Sequence, residues 1–469
     1  MEPTNRRPAE ASQQEPSAPY WPPRIAFVTA VVMAMAMLFV VPVHMWKWAD
    51  ALANSSNGAL LAPLAVVMTV IVCLTSLRWL TFFVLSFQGF RQIEKAPTGR
   101  DEWPFVSVLV PAYNEAETIE AALESLIRLD YPRYEIIMVD DGSTDNTLEL
   151  ARPFAGQHDR CEVRVLTKPN GGKWSAHNYA LRHARADLML CVDADSGLDP
   201  RALRYMVARA ADPTVSAVSG QIRVRNRVNA VTRLQGLEYL MANGSMRMAQ
   251  SYSGCVLVIP GPIGLFRRKV LQEVFEQFGT TSTPDESGRV EGPFEGDTFA
   301  EDFDLSAAIL TLGGRNVYEP RAISRTKAPD WTMGLLNQRY RWARGTLQVL
   351  RKFFRRVRRR PELRHGPAIA WMLGTYIVDL VVMPLVYLVG GCMTLTYLLA
   401  GGNVGEMLLA YVPLWLVTVN AGVFFCVVHR EKLSIMGIVP VYDLYQGILL
   451  NCSWLVAIYD ELRNARMRW

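Results

Sequence analysis

"FVSVLVPAYNE", residues 105–115, and "YEIIMVDDGSTDNT", residues 134–147, decide the fold. Each is a short apolar run that stops at a polar, acidic turn. Between them, "AETIEAALESLIRL" (116–129) has a helical period, with Glu115 and Glu117 in its first turn, where the helix dipole favours acids. "EVRVLTKPNGGKWSAHNYALRHA" (162–184) reads as strand, glycine turn and helix, and "ADLMLCVDADSGLDP" (186–200) as another buried strand ending in carboxylates. From residue 104 to about 330 this alternation predicts an α/β domain, with a mostly parallel sheet and helices on both faces.

In such sheets ligands bind at the carboxyl ends of the strands. Asn114, Asp140, Asp141, Asp193 and Asp195 all stand there. So much like charge at close range implies a cation. Asp193 and Asp195 flank one alanine, so in an extended segment both point the same way and can share one target. Oxygen-only ligands suit Mg²⁺ or Mn²⁺. Taken alone, "DAD" fits an ordinary solvated loop equally well.

The rest of the chain of 469 residues points to a membrane. Ile25–Trp48, Ala59–Leu77, Pro367–Ala400 and Val404–Val428 are long, nearly uncharged runs, and Leu433–Tyr459 is a weaker one. A spanning helix needs about 20 apolar residues, and core helices of soluble proteins alternate with a polar face. Basic residues set the orientation. Arg6, Arg7 and Arg24 precede the first run, 49–58 has no Lys or Arg, and Arg91, Lys95 and Arg100 follow the second. The tail and the large middle are therefore expected inside. The last run carries Asp443 and is followed by Arg463, Arg466 and Arg468, which fits a re-entrant or interfacial segment better than a span. The expected domains are a disordered tail (1–24), two transmembrane helices (25–88), a catalytic domain (89–330), interface helices (331–366), a C-terminal membrane region (367–460) and a short tail (461–469).

Seven cysteines show no paired spacing, and an inside-facing domain should keep them as thiols. Six scattered histidines form no metal motif. The net charge of +5 is modest and its basic residues gather beside the membrane, which argues against nucleic acid. "RKFFRRVRRR" (351–360) is expected to anchor to anionic headgroups. In "QRYRW" (338–342), Gln338, Arg341 and Trp342 fall at i, i+3 and i+4 on one helical face, a poor core stripe.

Taken together, "PAYNE", "VDDGSTDNT", "NGGKWSAHNYAL", "VDADS", "AEDFDLS" and "QRYRW", in this order, resemble the family 2 glycosyltransferases. The likeness is to the processive membrane branch that makes β-linked polysaccharides. Poly-β-1,6-N-acetylglucosamine synthases are the nearest type, with chitin, hyaluronan and cellulose or glucan synthases as cousins. The resemblance covers roughly residues 104–345 and the helices on both sides.

It implies a GT-A fold, a UDP-sugar donor, a polysaccharide or oligosaccharide acceptor and inversion in one displacement. Asp140, Asp141, Lys173 and Asp193 match the nucleotide-sugar side, Asp195 the metal ligand and Asp302 the catalytic base. Ala300 departs from the threonine usual two residues before that base; Glu301 and Asp302 are intact. Asp304 is a rival base on composition alone, and its plainer role is to cap the helix beginning "LSAAIL". Gln338, Arg341 and Trp342 would close the site, with Trp342 stacking on the acceptor sugar and Arg341 on the diphosphate. "GPIGLFRR" resembles the acceptor-contacting segment, which brings in Gly261 and Arg268. "GTTSTPDESGRVEGPFEGD" (279–297) reads as a solvated linker rather than a lid.

The partners implied are membrane lipids, a small membrane accessory subunit, and no nucleic acid; the compartment is a bacterial inner membrane with the catalytic domain cytoplasmic. The short stretch after the last apolar run holds no soluble cyclic di-GMP module, so such control would come from a partner. A non-processive enzyme that glycosylates a lipid shares most of these motifs. A catalytically dead scaffold or transporter subunit would not need the intact carboxylates.

Overall fold

The uncharged stretch Val106–Ala112 forms β1, buried along its whole length. The computed structural model describes residues 58–96, 99–100, 102–279, 289–359, 367–399, 401–463 and 465, with isolated helical positions between 25 and 43. The tail 1–24 and most of the expected span Ile25–Trp48 lie outside the described residues.

Parallel to β1 run β2 (Tyr134–Asp140) and β5 (Leu188–Cys191), and β4 (Cys161–Thr167) runs parallel to β2. Strands buried on both faces need helices on both. Ile119–Ile127 and Ala202–Arg209 cover one face, and Lys173–His183 the other. The remaining strands are β3 (Gly156–Gln157), β6 (Ser196–Leu198), β7 (Val215–Val224), β8 (Gly264–Arg267) and β9 (Arg315–Thr326). The nine strands lie in the order β3-β4-β2-β1-β5-β8-β7-β9-β6.

The expected parallel sheet holds for β4-β2-β1-β5 and for the β7–β9 pair. The sheet as a whole is mixed, since β8 runs antiparallel to both β5 and β7, and the edge strands β3 and β6 are antiparallel too. The chain between β7 and β8 folds into Ala230–Glu238 and Ser245–Tyr252, and the second of these packs along the long helix Gly58–Glu94. That detour brings the chain back into β8 from the opposite direction.

Among the described residues, three helical stretches are long and apolar enough to cross a membrane: Thr69–Glu94, Ala368–Leu399 and Leu433–Leu462. Val404–Val428 is also a single helix. The helix Gly58–Glu94 runs past the expected boundary at 88, and its Phe82 and Phe83 enter the cores beneath the domain. All seven cysteines are free, as expected of thiols.

Leu433–Leu462 is helical throughout, although it contains 3-10 and π turns. Its first turn packs on Ala230–Glu238 and its last half packs along Thr332–Arg359. Tyr442, Tyr445, Ser453, Ala457 and Glu461 are buried on one side, whereas Val441, Leu444, Ile448, Val456 and Tyr459 are exposed on the other. A helix that crossed would carry its ends about 30 Å apart along the bilayer normal. Single cysteines at Lys432 and Arg463, in a chain stripped of its native thiols, are accordingly expected to react with an impermeant maleimide from the same side. Labelling from opposite sides would make the segment a span.

Candidate active site

At the carboxyl ends of β1, β2 and β5 opens a cleft of about 1230 Å³. The first two strand-end loops are laced together above the sheet. Asn114, in a left-handed conformation with φ 54°, accepts from the Thr144 amide through Oδ1 at 2.8 Å. The Glu115 amide donates to Thr147 Oγ1 at 2.8 Å. Asn114 therefore shapes the loops, while its neighbours Tyr113 and Glu115 line the cleft.

Asp140 and Asp141 take different places. Asp140 is buried beneath the cleft, where it accepts from Thr167 Oγ1 at 3.1 Å and from the Ser143 amide at 3.4 Å. Asp141 lines the cleft, with its carboxylate spent on the glycine turn. It accepts from Gly172 N at 2.7 Å and Gly171 N at 3.1 Å, and pairs with buried Lys168 at 2.5 Å. Gly172, with φ +91°, leads into the helix whose first residue is Lys173.

Lys173 reaches across the cleft. Its Nζ lies 2.7 Å from Asp193 Oδ1 and 3.2 Å from Glu301 Oε1. Burial works against its charge, but the carboxylates of Asp193 and Glu301 prevail and hold the ammonium well above its usual range. Burial, reinforced by the Asp195 charge, pushes Asp193 up against the pull of Lys173. Asp195 accepts from Ser196 Oγ at 2.8 Å and Thr326 Oγ1 at 3.2 Å. Glu115 is pushed up chiefly by burial, with the Asp195 and Asp193 charges adding.

Asp302 stands in the first turn of the helix Glu301–Thr311. Its Oδ1 accepts from the Phe303 amide at 2.7 Å and its Oδ2 from Gly261 N at 3.2 Å. Burial, then the neighbouring Glu301 charge, pushes its carboxyl up to about 6. A Cβ at Gly261 would sit 2.7 Å from Lys173 Nζ and 2.9 Å from Asp193 Oδ1, so a side chain there would displace the Lys173–Asp193 pair. Arg268 is not in the cleft. It donates to the carbonyls of Ala184 and Ala186 at 2.7 and 2.8 Å, bracing the start of β5, so it has no access to an acceptor.

Asp304 is not a rival base. Its carboxylate is buried between Lys352 Nζ at 2.7 Å and Arg356 at 2.8 Å. The helix begins at Glu301, so Asp304 lies inside it and does not cap it. Together with Glu295 and Asp297 it makes a three-carboxylate cluster that could hold a metal ion, but the Lys352 ammonium binds all three at 2.5–2.7 Å. Part of "RKFFRRVRRR" thus points inward, and Phe353 is buried while Phe354 is exposed.

The described part of the expected linker forms a wall of the cleft. Asn178 donates to the carbonyls of Val290 and Phe294 at 2.9 Å each, and its Oδ1 accepts from the Phe294 amide at 3.2 Å. Residues 280–288 lie outside the described residues. The stretch read as solvated because it is polar and glycine-rich. Its glycines serve close packing instead: a Cβ on Gly296 would lie 2.1 Å from the indole of Trp174.

Gln338, Arg341 and Trp342 line the cleft from the helix Thr332–Arg359, as their spacing predicts. Leu335 and Val349 face the protein core rather than a membrane interface. The spacing missed Arg339. Its buried guanidinium forks onto Glu238 at 2.7 and 3.1 Å, donates to Gln338 Oε1 at 2.5 Å and lies 4.3 Å from the centre of the Trp342 ring. Tyr239 stacks on Trp342 from the cleft wall at 6.3 Å. The signal for this in the sequence is a second arginine inside the motif, three residues before Trp342 and so flanking the cleft-lining face.

Residues 107–275 match the model of the family described as Glycosyl transferase family 2. That segment of the chain is similar to family 2 glycosyltransferase domains. Over 284 residues it is 30% identical to a poly-beta-1,6-N-acetyl-D-glucosamine synthase of Staphylococcus epidermidis, a match that covers 60% of this chain and 64% of that one. It is 34% identical over 256 residues to the enzyme of the same name from Staphylococcus aureus strain COL, covering 54% and 58%. The chain thus spans a little under two thirds of the curated relatives it matches. The mannosyltransferase PcManGT from Pyrobaculum calidifontis, solved in complex with GDP-Man and Mn²⁺, shares the fold at a TM-score of 0.58 and 22% identity. That likeness covers 85% of this chain and 99% of that one. The domain is of the GT-A type.

Removing one partner of a buried ion pair leaves an uncompensated charge, typically costing about 3–5 kcal/mol. Arg339→Met should therefore lower the melting temperature of the purified protein sharply, and adding Glu238→Gln should restore much of the loss. Independent effects of the two substitutions would mean that the pair does not hold the helix.

Proposed function

We propose that the protein transfers a sugar, N-acetylglucosamine, from its UDP-linked form to the end of a growing β-linked polysaccharide, with inversion, and passes the product into the membrane. The observation that carries this reading is Asp302. It is a carboxylate oriented by two backbone amides, raised toward neutrality, and set in one cleft with the Asp193–Asp195 pair and the "QRYRW" face. The names of the staphylococcal relatives support the choice of sugar and of a polymeric product.

A sugar hydroxyl is a weak nucleophile and must lose its proton as it attacks. In this reading Asp302 accepts that proton. The new bond forms at the anomeric carbon on the face opposite the diphosphate, and the bond to the diphosphate breaks with its electron pair leaving on the nucleotide. One displacement inverts the centre and needs no covalent enzyme intermediate. Lys173 and Arg341 are placed to offset the leaving group's charge, and the half-exposed indole of Trp342 offers a face to the acceptor.

The residues present fit a divalent cation. Glu115, Asp193 and Asp195 offer oxygen only, and the upward shifts of Glu115 and Asp193 mark an excess of negative charge that a hard cation relieves. We assign Asp195 as the principal ligand, with Mg²⁺ or Mn²⁺ supplying charge neutralisation at the diphosphate. Asp193 is already drawn to Lys173 and serves the donor side.

The same reading puts the domain on the cytoplasmic face of a bacterial inner membrane, the side that Arg91, Lys95 and Arg100 favour. The inner end of the cleft reaches Tyr376, in a helix of the membrane region, which gives the product a short way in.

A base is active when ionised, so the transfer rate should rise as pH increases through about 6 and level off above it. Asp302→Asn should cost about 10²- to 10⁴-fold in rate, while UDP affinity stays near that of the wild type. A near-normal rate in this variant, measured with labelled donor in nanodiscs, would remove Asp302 as the base. Trp342→Ala should impair elongation far more than UDP binding, since stacking is usually worth about 1 kcal/mol and a displacement of about 1 Å costs about a further 10²-fold. Equal losses in elongation and in UDP affinity would show that the indole serves the donor instead.

A further inference from the structure

Arg247, in the helix Ser245–Tyr252, lines the cleft and is only 7% exposed. Its Nη1 is buried with no hydrogen-bond partner among the described residues. Other buried arginines here are provided for: Arg339 has Glu238, Arg344 has Glu461 and Arg78 has Asp379. Among the described residues Arg247 has no such carboxylate within ion-pair distance. A buried guanidinium without a partner carries a heavy desolvation cost, and native structures rarely leave one so unless something else binds it.

Its surroundings indicate the chemistry of that missing partner. The charges of Tyr318, Asp302, Tyr376 and Tyr239 act on it most strongly. Met246, Leu257, Thr346 and Tyr376 line the same cleft. Thr346 and Tyr376 belong to Thr332–Arg359 and Pro367–Ile377, so this end is walled by membrane-side elements, whereas the glycine turn before Lys173 walls the donor side. Apolar and aromatic surfaces around a single fork of donors suit a saccharide, whose ring faces are apolar and whose rim carries acceptor oxygens.

We infer that Arg247 binds the acceptor saccharide, donating to hydroxyl or amide-carbonyl oxygens of the sugar unit behind the reacting one. It thereby sets where the attacking hydroxyl meets Asp302. This rests on the transferase reading above and adds the residue that selects and registers the acceptor. The unpaired guanidinium is then a cost to the empty protein that the bound polymer removes.

The test uses the full chain in nanodiscs, saturated with UDP and titrated with a β-1,6-linked N-acetylglucosamine tetrasaccharide by calorimetry. Arg247→Met should weaken tetrasaccharide binding by about tenfold or more, because a hydrogen-bonded charge is lost. UDP affinity should not change, and the melting temperature should hold or rise, since an unpaired buried charge has been removed. Arg247→Lys, which keeps the charge but loses the fork, should fall between the two. The inference is overturned if the wild type does not bind the tetrasaccharide or if Arg247→Met binds it as well as the wild type does. It is equally overturned if UDP affinity falls in step, or if both variants melt lower and lose both ligands alike. Donor turnover measured in the same nanodiscs keeps the two readings apart. Arg247-dependent binding without turnover sinks the transferase reading alone, and turnover with Arg247-independent binding sinks this one alone.

Discussion

The Lys173 ammonium, 2.7 Å from Asp193 and 3.2 Å from Glu301, is the contact on which the rest of the cleft depends. Glu115, Asp193, Asp195, Glu301 and Asp302 all line the same space. Without a cation among them their repulsion would force protonation or drive the loops apart. The position of Lys173 is in turn set by a turn that is hydrogen-bonded to a buried carboxylate. Asp141 holds the amides of Gly171 and Gly172, and Lys168 is buried against Asp141. A methyl group on Gly261 would have to displace the Lys173–Asp193 contact.

The Glu295–Asp297–Asp304 cluster uses the same residue types to the opposite end. There Lys352 meets all three carboxylates and Arg356 adds a second charge. Both cations are committed to ion pairs within the protein, so the cluster works as a staple between the wall 289–299 and the interface helix. In the cleft one lysine faces more carboxylates than it can neutralise, which leaves a demand for further positive charge. The staple differs from the site in that one ammonium contacts every carboxylate of its cluster, whereas Lys173 contacts only Asp193 and Glu301, and composition alone does not reveal that.

How much of this could be read in the sequence follows from whether the determining contacts are local. β1, β2, β4 and β5 were legible because each is a short apolar run ending at a polar turn, and their carboxylates fell where the alternation placed them. Asp302 and the face of Gln338, Arg341 and Trp342 came from motif and helical spacing, and both are in the cleft. Arg268 and Asp304 misled because their partners, the carbonyls of Ala184 and Ala186 and the side chains of Lys352 and Arg356, lie dozens of residues away. The antiparallel half of the sheet was hidden by a detour of the chain that no local signal encodes. The departure at Ala300 has a physical account as well. Ala300 packs against Gly345 of the interface helix so closely that a Cβ on Gly345 would lie 2.7 Å from its own. The small side chain is part of how that helix is seated.

That seating bears on how the cleft and the membrane region act together. Glu238 receives both Arg339 and the Tyr445 hydroxyl, the latter at 2.6 Å, so one buried carboxylate joins the domain, the interface helix and the C-terminal segment. Glu461 repeats the arrangement with Arg344, at 2.8 Å, and Gln348. Buried charge pairs of this kind tolerate little displacement, because either partner left alone is heavily penalised. Trp342, between Arg339 and Tyr239, is therefore linked to the C-terminal segment through Arg339, Glu238 and Tyr445. A shift of the membrane region could not leave the Gln338–Arg341–Trp342 face of the cleft unmoved, because the same buried carboxylates hold both.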